Sequence, residues 1–313
     1  MNERNPVLVS AHAVELTHRI TVDAQPQRVF DLVADTAGAP RFAPSQVHAE
    51  VIDRNDTSDL VKRWVYDGRS VRSWLVRRVL RPEAQRIEFT HEAPQPPLAA
   101  QRGEWNFSSD GNGGTRLSVT HAVEAVEAGA LDALAAGLNR NVPAQLRTYK
   151  YVAELGDDLE RLSVRHVEQA VAAGSVDEVA SRLSDPSVWA AIAPGPAVVE
   201  ARPLTDDADL LSFGFGNTDA PSVGADYVRV RLPEAGVAYK RLDRPAGVHA
   251  EVGSWRVAVH APGTALVRVS GSVTLDVGAL RDGLAQARAE QQQAVAASVR
   301  RILGRLTAAS SAG

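Results

Sequence analysis

The chain has no cysteine and a single methionine in 313 residues. The missing cysteines exclude disulfides, thiolate metal sites, iron–sulfur clusters and thiol nucleophiles, and they fit a reducing compartment. Basic residues are not in excess: 34 Lys and Arg face 38 Asp and Glu, for a formal net charge of −4. That argues against nucleic acid or an anionic membrane as a partner. No apolar run approaches the ~18 residues of a membrane helix, and the opening segment MNERNPVLVSAHAVELTHRI lacks the unbroken apolar stretch of a signal peptide. A cytoplasmic protein is expected. The eight histidines show no HxH or HExxH spacing and there is no GxSxG elbow, so neither a metal site nor a serine hydrolase is predicted. With 44% hydrophobic and 23% charged residues the chain reads as ordinary globular protein, long enough for two domains of ~150 residues.

What the sequence does contain is a duplication. Residues 27–35 (QRVFDLVAD) return 150 positions later as residues 177–185 (DEVASRLSD), with Val29 on Val179, Val33 on Leu183 and Asp35 on Asp185. RVLRPE at 78–83 returns at a shift of 151 as RVRLPE, GEW at 103–105 at 150 as GSW, and GTRL at 114–117 at 149 as GTAL. Four matches in order at nearly one shift define two homologous domains, 1–160 and 161–313. The period is too long for a solenoid unit of roughly 20–50 residues.

Within the first copy, residues 14–22 alternate as a strand, and residues 25–34 carry Val29, Leu32 and Val33 at helical spacing behind Pro26. A short helix or turn at 36–42 follows, then strands over 47–53, 60–67, 70–80, 85–91, 98–108 and 115–123, separated by turn sequences such as DG, RPEA and SDGNGG. A long helix is predicted over 130–162. The second copy repeats the order: a strand at 164–172, a helix at 176–184, strands at 197–203, 210–216, 225–232, 237–243, 248–260 and 265–276, a helix at 280–306 whose arginine-rich end suits a helix C-terminus, and an unstructured tail at 307–313. Each copy is therefore expected to be an α+β domain, a curved seven-stranded antiparallel sheet with one face covered by a long C-terminal helix.

That order resembles the helix-grip fold of the START-like superfamily. The doubled unit, with SWLVRR, GEW, THAVE and NRNVPAQL in its first copy, is similar to the didomain aromatase/cyclases of bacterial type II polyketide synthases. The resemblance implies two tandem helix-grip domains and an enzyme that folds a poly-β-keto chain, closes its first ring by aldol chemistry and promotes dehydration to an aromatic ring. It implies a ketoreduced substrate on an acyl carrier protein, other synthase subunits as partners, and no cofactor or metal. It places the pocket arginine at Arg78, pocket tryptophans at Trp74 and Trp105, a polar position at His121 and helix amides at Asn141 and Gln145. Val76 stands where single-domain relatives carry a polar residue, and Ala39 and Gln46 replace an aromatic and a tyrosine of the single-domain pattern. In the second copy Arg229 takes the place of Arg78, Trp255 that of Trp105, Tyr227 that of Val76 and Ser270 that of His121, so the second copy keeps its arginine and loses its histidine.

These residue types suit the implied chemistry. Arginine offers a charged planar fork for ketone oxygens and an enolate. Histidine, with a pKa near working pH, can move protons in enolisation and water loss. Tryptophans give flat walls, and amides orient carbonyls. Trp74, Val76 and Arg78 share one strand face by alternation. Two other readings fit the same residues: a non-catalytic carrier or binding module for a hydrophobic small molecule, and a chaperone-like role steadying a synthase complex.

Overall fold

The computed structural model describes residues 7–10, 12–192, 197–215 and 224–308. The chain divides into two compact units, the first formed by Met1–Ala39, Ala49–Trp64 and Ser73–Asp157, the second by Pro40–His48, Val65–Arg72 and Asp158–Gly313.

The first sheet contains β1 (Val7–Ser10), β2 (Ala13–Val22), β3 (Gln46–Arg54), β4 (Ser58–Tyr66), β5 (Val71–Arg81), β6 (Arg86–Glu92), β7 (Leu98–Ser109) and β8 (Thr115–Ala125), in the order β1-β2-β8-β7-β6-β5-β4-β3. Strand β1 is an addition to the seven expected. It pairs antiparallel with β2, Val7 opposite Glu15. Helix α1 (Pro26–Ala34) follows β2, started by Pro26, whose missing N–H costs nothing in a first turn. Its Val29, Phe30 and Val33 are buried.

Helix α2 (Leu131–Glu154) covers the sheet with a stripe of Leu131, Val142, Leu146, Tyr149 and Val152. The spacings of eleven, four, three and three residues put them on one helix face. Near its start the helix buries Leu131, Leu134 and Leu138 against Val14, Leu16 and Val123 of β2 and β8. Truncating one such buried leucine to alanine costs roughly 2–5 kcal/mol. The predicted helix to residue 162 is broken: Gly156 turns the chain at φ +63°, and a short helix α3 (Asp158–Leu162) resumes beyond it.

The second sheet contains β9 (Ser163–Ala173), β10 (Ala197–Thr205), β11 (Ala208–Phe215), β12 (Ala225–Leu232), β13 (Gly236–Arg241), β14 (Val248–Ala261) and β15 (Thr264–Leu275), in the order β10-β11-β12-β13-β14-β15-β9. Every neighbouring pair is antiparallel. Helix α4 (Val176–Ser184) starts with a capping box, in which Ser175 accepts from the Glu178 amide while Glu178 accepts from the Ser175 amide. Asp185 caps the single turn α5 (Pro186–Trp189). The C-terminal helix is also broken. Gly283, at φ +117°, separates α6 (Ala279–Asp282) from α7 (Leu284–Ala308). Helix α7 buries Val295, Val299, Ile302, Leu303 and Leu306. Thr307 and Ala308, assigned to a tail from sequence, complete α7; residues 309–313 lie outside the described residues.

Candidate active site

Arg78 projects from the buried face of β5 with Val76, as alternation requires. Its Nε donates to Asp59 Oδ1 at 2.8 Å and its Nη2 to Asp59 Oδ2 at 2.6 Å. The same guanidinium donates to the carbonyls of Ala34 (2.9 Å) and Val33 (3.2 Å), at the C-terminal end of α1. Four of its five N–H groups thus have intramolecular acceptors. Asp59, on β4, is fully buried, and the positive fork also meets the negative end of a helix.

The second unit repeats this clamp. Arg229 Nε and Nη2 donate to Asp209 Oδ1 and Oδ2 at 2.9 and 2.6 Å, and Nη2 donates to the Ser184 carbonyl, the last residue of α4, at 3.1 Å. Its guanidinium also lies 5.1 Å from the Trp189 ring. Both arginines therefore point inward, but their forks, expected to hold substrate oxygens, tie a strand to a helix end. A small recess with room for about one water molecule lies against the second clamp, lined by Ser184, Asp207, Asp209, Arg229, Arg231 and Val237. It is far smaller than an ordinary small-molecule site.

The inner face of the first sheet carries imidazoles in addition. His121 on β8 is buried, opposite Leu16 of β2 and Gly103 of β7. Gly103 is small for a reason: a Cβ there would collide with the Phe89 ring and the Thr120 carbonyl. The ring thus lies across the glycine, edge-on to His121 at 5.2 Å. This explains the glycine of GEW, and Gly253 repeats it beneath Tyr239, whose hydroxyl would be 2.6 Å from a Cβ. Trp74 stacks on His91 at 5.9 Å, and Trp105 meets Tyr149 of α2 edge-on at 5.6 Å. His18, two residues along β2 from Leu16, has its Nε2 2.9 Å from Asn139 Oδ1 of α2. The Nδ1 atoms of His18 and His121 are buried with no hydrogen-bond partner.

Burial, then the nearby His18 and His91, lowers His121 to about 3. Burial, then Arg63, lowers His91 to about 4. The expectation of a histidine titrating near working pH is thereby overturned. His121 and His91 are neutral at pH 7, each with one ring nitrogen that donates and one that accepts. Among the helix amides, Asn141 is exposed and Gln145 half-buried. It is Asn139, not singled out as a site residue from sequence, that reaches a sheet imidazole.

In the second unit Trp255 and Tyr227 are buried on the inner face, Trp255 6.0 Å from Trp189. Ser270 is a correction. It is exposed on the other face of β15, near Ser254 (3.3 Å between hydroxyls). Strand register gives the true counterpart: Trp105 pairs with Val119 and Trp255 with Val269, so His121 corresponds to Gly271. Gly271 in turn faces His166 of β9, as His121 faces Leu16. A Cβ at Gly271 would lie 2.6 Å from His166 Nε2. The imidazole has moved to the partner strand of the same rung, and the second unit keeps a histidine after all.

Among the described residues no helix is long and apolar enough to cross a membrane, and no three His, Asp or Glu side chains converge as metal ligands would. Residues 13–154 match the family described as polyketide cyclase / dehydrase and lipid transport. The chain is 26% identical over 252 residues to the actinorhodin polyketide synthase bifunctional cyclase/dehydratase of Streptomyces coelicolor, covering 77% of this chain and 78% of that protein. It is 25% identical to the granaticin polyketide synthase bifunctional cyclase/dehydratase of Streptomyces violaceoruber, covering 77% and 75%. Among solved structures it is similar to the di-domain ARO/CYC BexL from the BE-7585A biosynthetic pathway, with a TM-score of 0.80 at 25% identity over 96% of this chain and 99% of that one. The di-domain ARO/CYC StfQ from the steffimycin biosynthetic pathway gives 0.78 at 25% identity over 94% and 97%. Residues 13–154 thus match the polyketide cyclase/dehydrase family, and with a helix-grip sheet in each repeat the chain as a whole is similar to polyketide cyclase/dehydratases and to two-domain ARO/CYC structures.

Proposed function

We propose that the chain, with repeats 1–160 and 161–313 as its domains, folds a ketoreduced poly-β-keto thioester carried by an acyl carrier protein of a type II synthase. On this reading it closes the first ring by intramolecular aldol condensation and promotes dehydration to the aromatic product. The observation that carries the reading is the pair of buried, open Nδ1 atoms of His18 and His121 on the inner face of the first sheet. His121 lies in an aromatic series, in which Phe89 joins it to His91 and His91 stacks on Trp74.

Carbons between two ketones enolise readily, so a strong base is not needed. Between them the two imidazoles can accept a proton from carbon or enol oxygen at one nitrogen and deliver one to the ketone oxygen from another. The carbon–carbon bond then forms as the acceptor carbonyl becomes a hydroxyl, with no net loss of atoms. Trp74, Trp105 and Val76 supply flat and apolar walls, and Gln145 a half-buried amide from α2. Holding the reacting carbons together can supply roughly 7–11 kcal/mol of barrier lowering in ideal cases. Arg78 and Arg229 serve as positioning residues that fix the strands under the site.

The test is a reconstituted synthase and ketoreductase with and without the protein. The protein should direct the mixture to one first-ring-cyclised aromatic product, and His121→Phe should lower that flux about 100-fold. The same product distribution with and without the protein would refute the reading. Because the matched family also includes lipid transport, a carrier role is the second reading. A carrier binds the chain and leaves the distribution unchanged, so one assay separates the two.

A further inference from the structure

The inner face of the second sheet holds a polar group with no equivalent in the first. Register places Tyr227 opposite Arg241, where the first unit has Val76 opposite His91. On β14, Glu251 lies two residues before Gly253, where β7 carries Gln101 two residues before Gly103. The second copy has thus replaced an aliphatic, an imidazole and an amide by a phenol, a guanidinium and a carboxyl.

The contacts within this group are unequal. Arg241 is tied to Asp243 by three hydrogen bonds of 2.7–3.0 Å. Its remaining reach to Glu251 Oε2 is 3.4 Å, and the Tyr227 hydroxyl donates to Glu251 Oε1 also at 3.4 Å. Asp59 and Asp209, by contrast, are gripped at 2.6–2.9 Å by both arms of their arginines. Glu251 is therefore a mostly buried carboxyl, 14% exposed at its side chain, held loosely by two long contacts. Burial raises its pKa above the usual carboxylate range against the opposing pull of Arg241, and burial likewise keeps the Tyr227 phenol protonated. A carboxyl so placed can give up a proton and take one back.

We propose that Glu251, with Tyr227 and Arg241, forms a second acid–base site in the second unit, which takes a ring-closed β-hydroxy ketone and eliminates water from it. The inference rests on the aromatase/cyclase reading above and assigns its dehydration step. The Glu251 carboxyl protonates the departing hydroxyl, the carbon–oxygen bond breaks, and water leaves. The neighbouring α-carbon gives its proton to the same carboxylate while its C–H electrons form the double bond, so Glu251 is restored and no other reactant is needed. Tyr227 orients Oε1, and Arg241 steadies the transient carboxylate.

The test offers the full-length protein a synthetic cyclic β-hydroxy ketone thioester, alongside the reconstituted synthase assay. Glu251→Gln keeps shape and removes the acid. It should lower dehydration of the synthetic probe about 100-fold or more, and in the synthase assay it should accumulate ring-closed, undehydrated product of unchanged regiochemistry. Tyr227→Phe should lower dehydration about 10-fold, and it carries the same test if Glu251→Gln does not fold. Dehydration within about threefold of wild type in the folded variant, or ring closure and dehydration falling in equal proportion, would overturn the proposal. If the wild-type protein leaves the synthase products unchanged yet dehydrates the probe in a Glu251-dependent way, the cyclase reading fails and the site stands.

Discussion

Asp59 holds both of its carboxylate oxygens in the fork of Arg78, at 2.8 and 2.6 Å, and Asp209 holds Arg229 in the same way one repeat later. The duplication of the whole clamp, helix carbonyl included, marks it as part of the fold's framework. Removing Arg78 leaves the buried Asp59 carboxylate to the longer 3.2 Å contact from the exposed Arg54, so the cost should approach the ~3–5 kcal/mol of a broken buried pair. Arg78→Met should therefore lower the thermal midpoint by about 10 °C. Pairing it with Asp59→Leu should recover part of the loss, because the stranded carboxylate is gone. Thermal and urea melts of the single and double variants check this. An Arg78→Met protein of wild-type stability with no activity would instead return Arg78 to the substrate.

The paired glycines give a prediction from packing alone. Gly103 is crossed by the Phe89 ring and Gly253 by the Tyr239 ring. A methyl at Gly253 meets the Tyr239 ring, whereas one at Gly103 also strikes the Thr120 backbone carbonyl; overpacking against a ring costs about 1–3 kcal/mol. Gly253→Ala should be destabilising by that amount in wild-type background and by less in a Tyr239→Leu background. A double-mutant cycle in urea reads the difference. Equal costs in the two backgrounds would mean that the ring is not what the glycine accommodates.

Much of this architecture was legible because strands and repeat are both periodic. The alternation of Val14, Leu16, Ile20 and Val22 and the Val29, Val33 spacing name their elements directly. Helix breaks were missed because Gly156 and Gly283 sit inside otherwise helical sequence, and only their positive φ shows the interruption. Asp59 and Asp209 had a signal, SDL at 58–60 and ADL at 208–210, an acid at one spacing in two apolar strands. His166 could not be found by counting. The GTRL and GTAL turns are offset by 149 while the strands are in register at 150, so the count selected Ser270 and the hydrogen-bond ladder selects Gly271. One residue of error in a strand changes the face.

Buried neutral histidines make stability depend on acid. His121 and His91 sit at about 3 and about 4, against 6.5 for a free imidazole. Between those values the unfolded chain binds more protons than the folded one. Their contribution is thus complete above about pH 6.5 and declines as the pH falls. For His121 alone the loss between pH 7 and pH 5 should be about 2 kcal/mol. Urea unfolding at the two pH values, compared between wild type and His121→Gln, isolates this share. An acid sensitivity of the same size in both proteins would show that His121 titrates normally. By the same logic no activity should be lost between pH 8 and pH 6 through protonation of His121.

The His18–Asn139 contact separates site geometry from fold stability. Asn139 is exposed on α2 and its amide oxygen is 2.9 Å from His18 Nε2. An exposed neutral hydrogen bond contributes only about 0.5–1.5 kcal/mol, so Asn139→Leu should barely move the melting temperature. It should nonetheless release the His18 ring and leave the direction of its Nδ1 undefined. On the cyclase reading, ring closure should fall about 10-fold to 100-fold with substrate affinity little changed, because the amide orients the imidazole and does not bind the chain. Asn139→Asp, which keeps the acceptor, should recover most of the rate. Turnover and KM for the two variants in the reconstituted assay decide it. A rise in KM at constant kcat would place Asn139 in binding, and an unchanged rate in Asn139→Leu would remove His18 from the proton path and leave His121 to act alone.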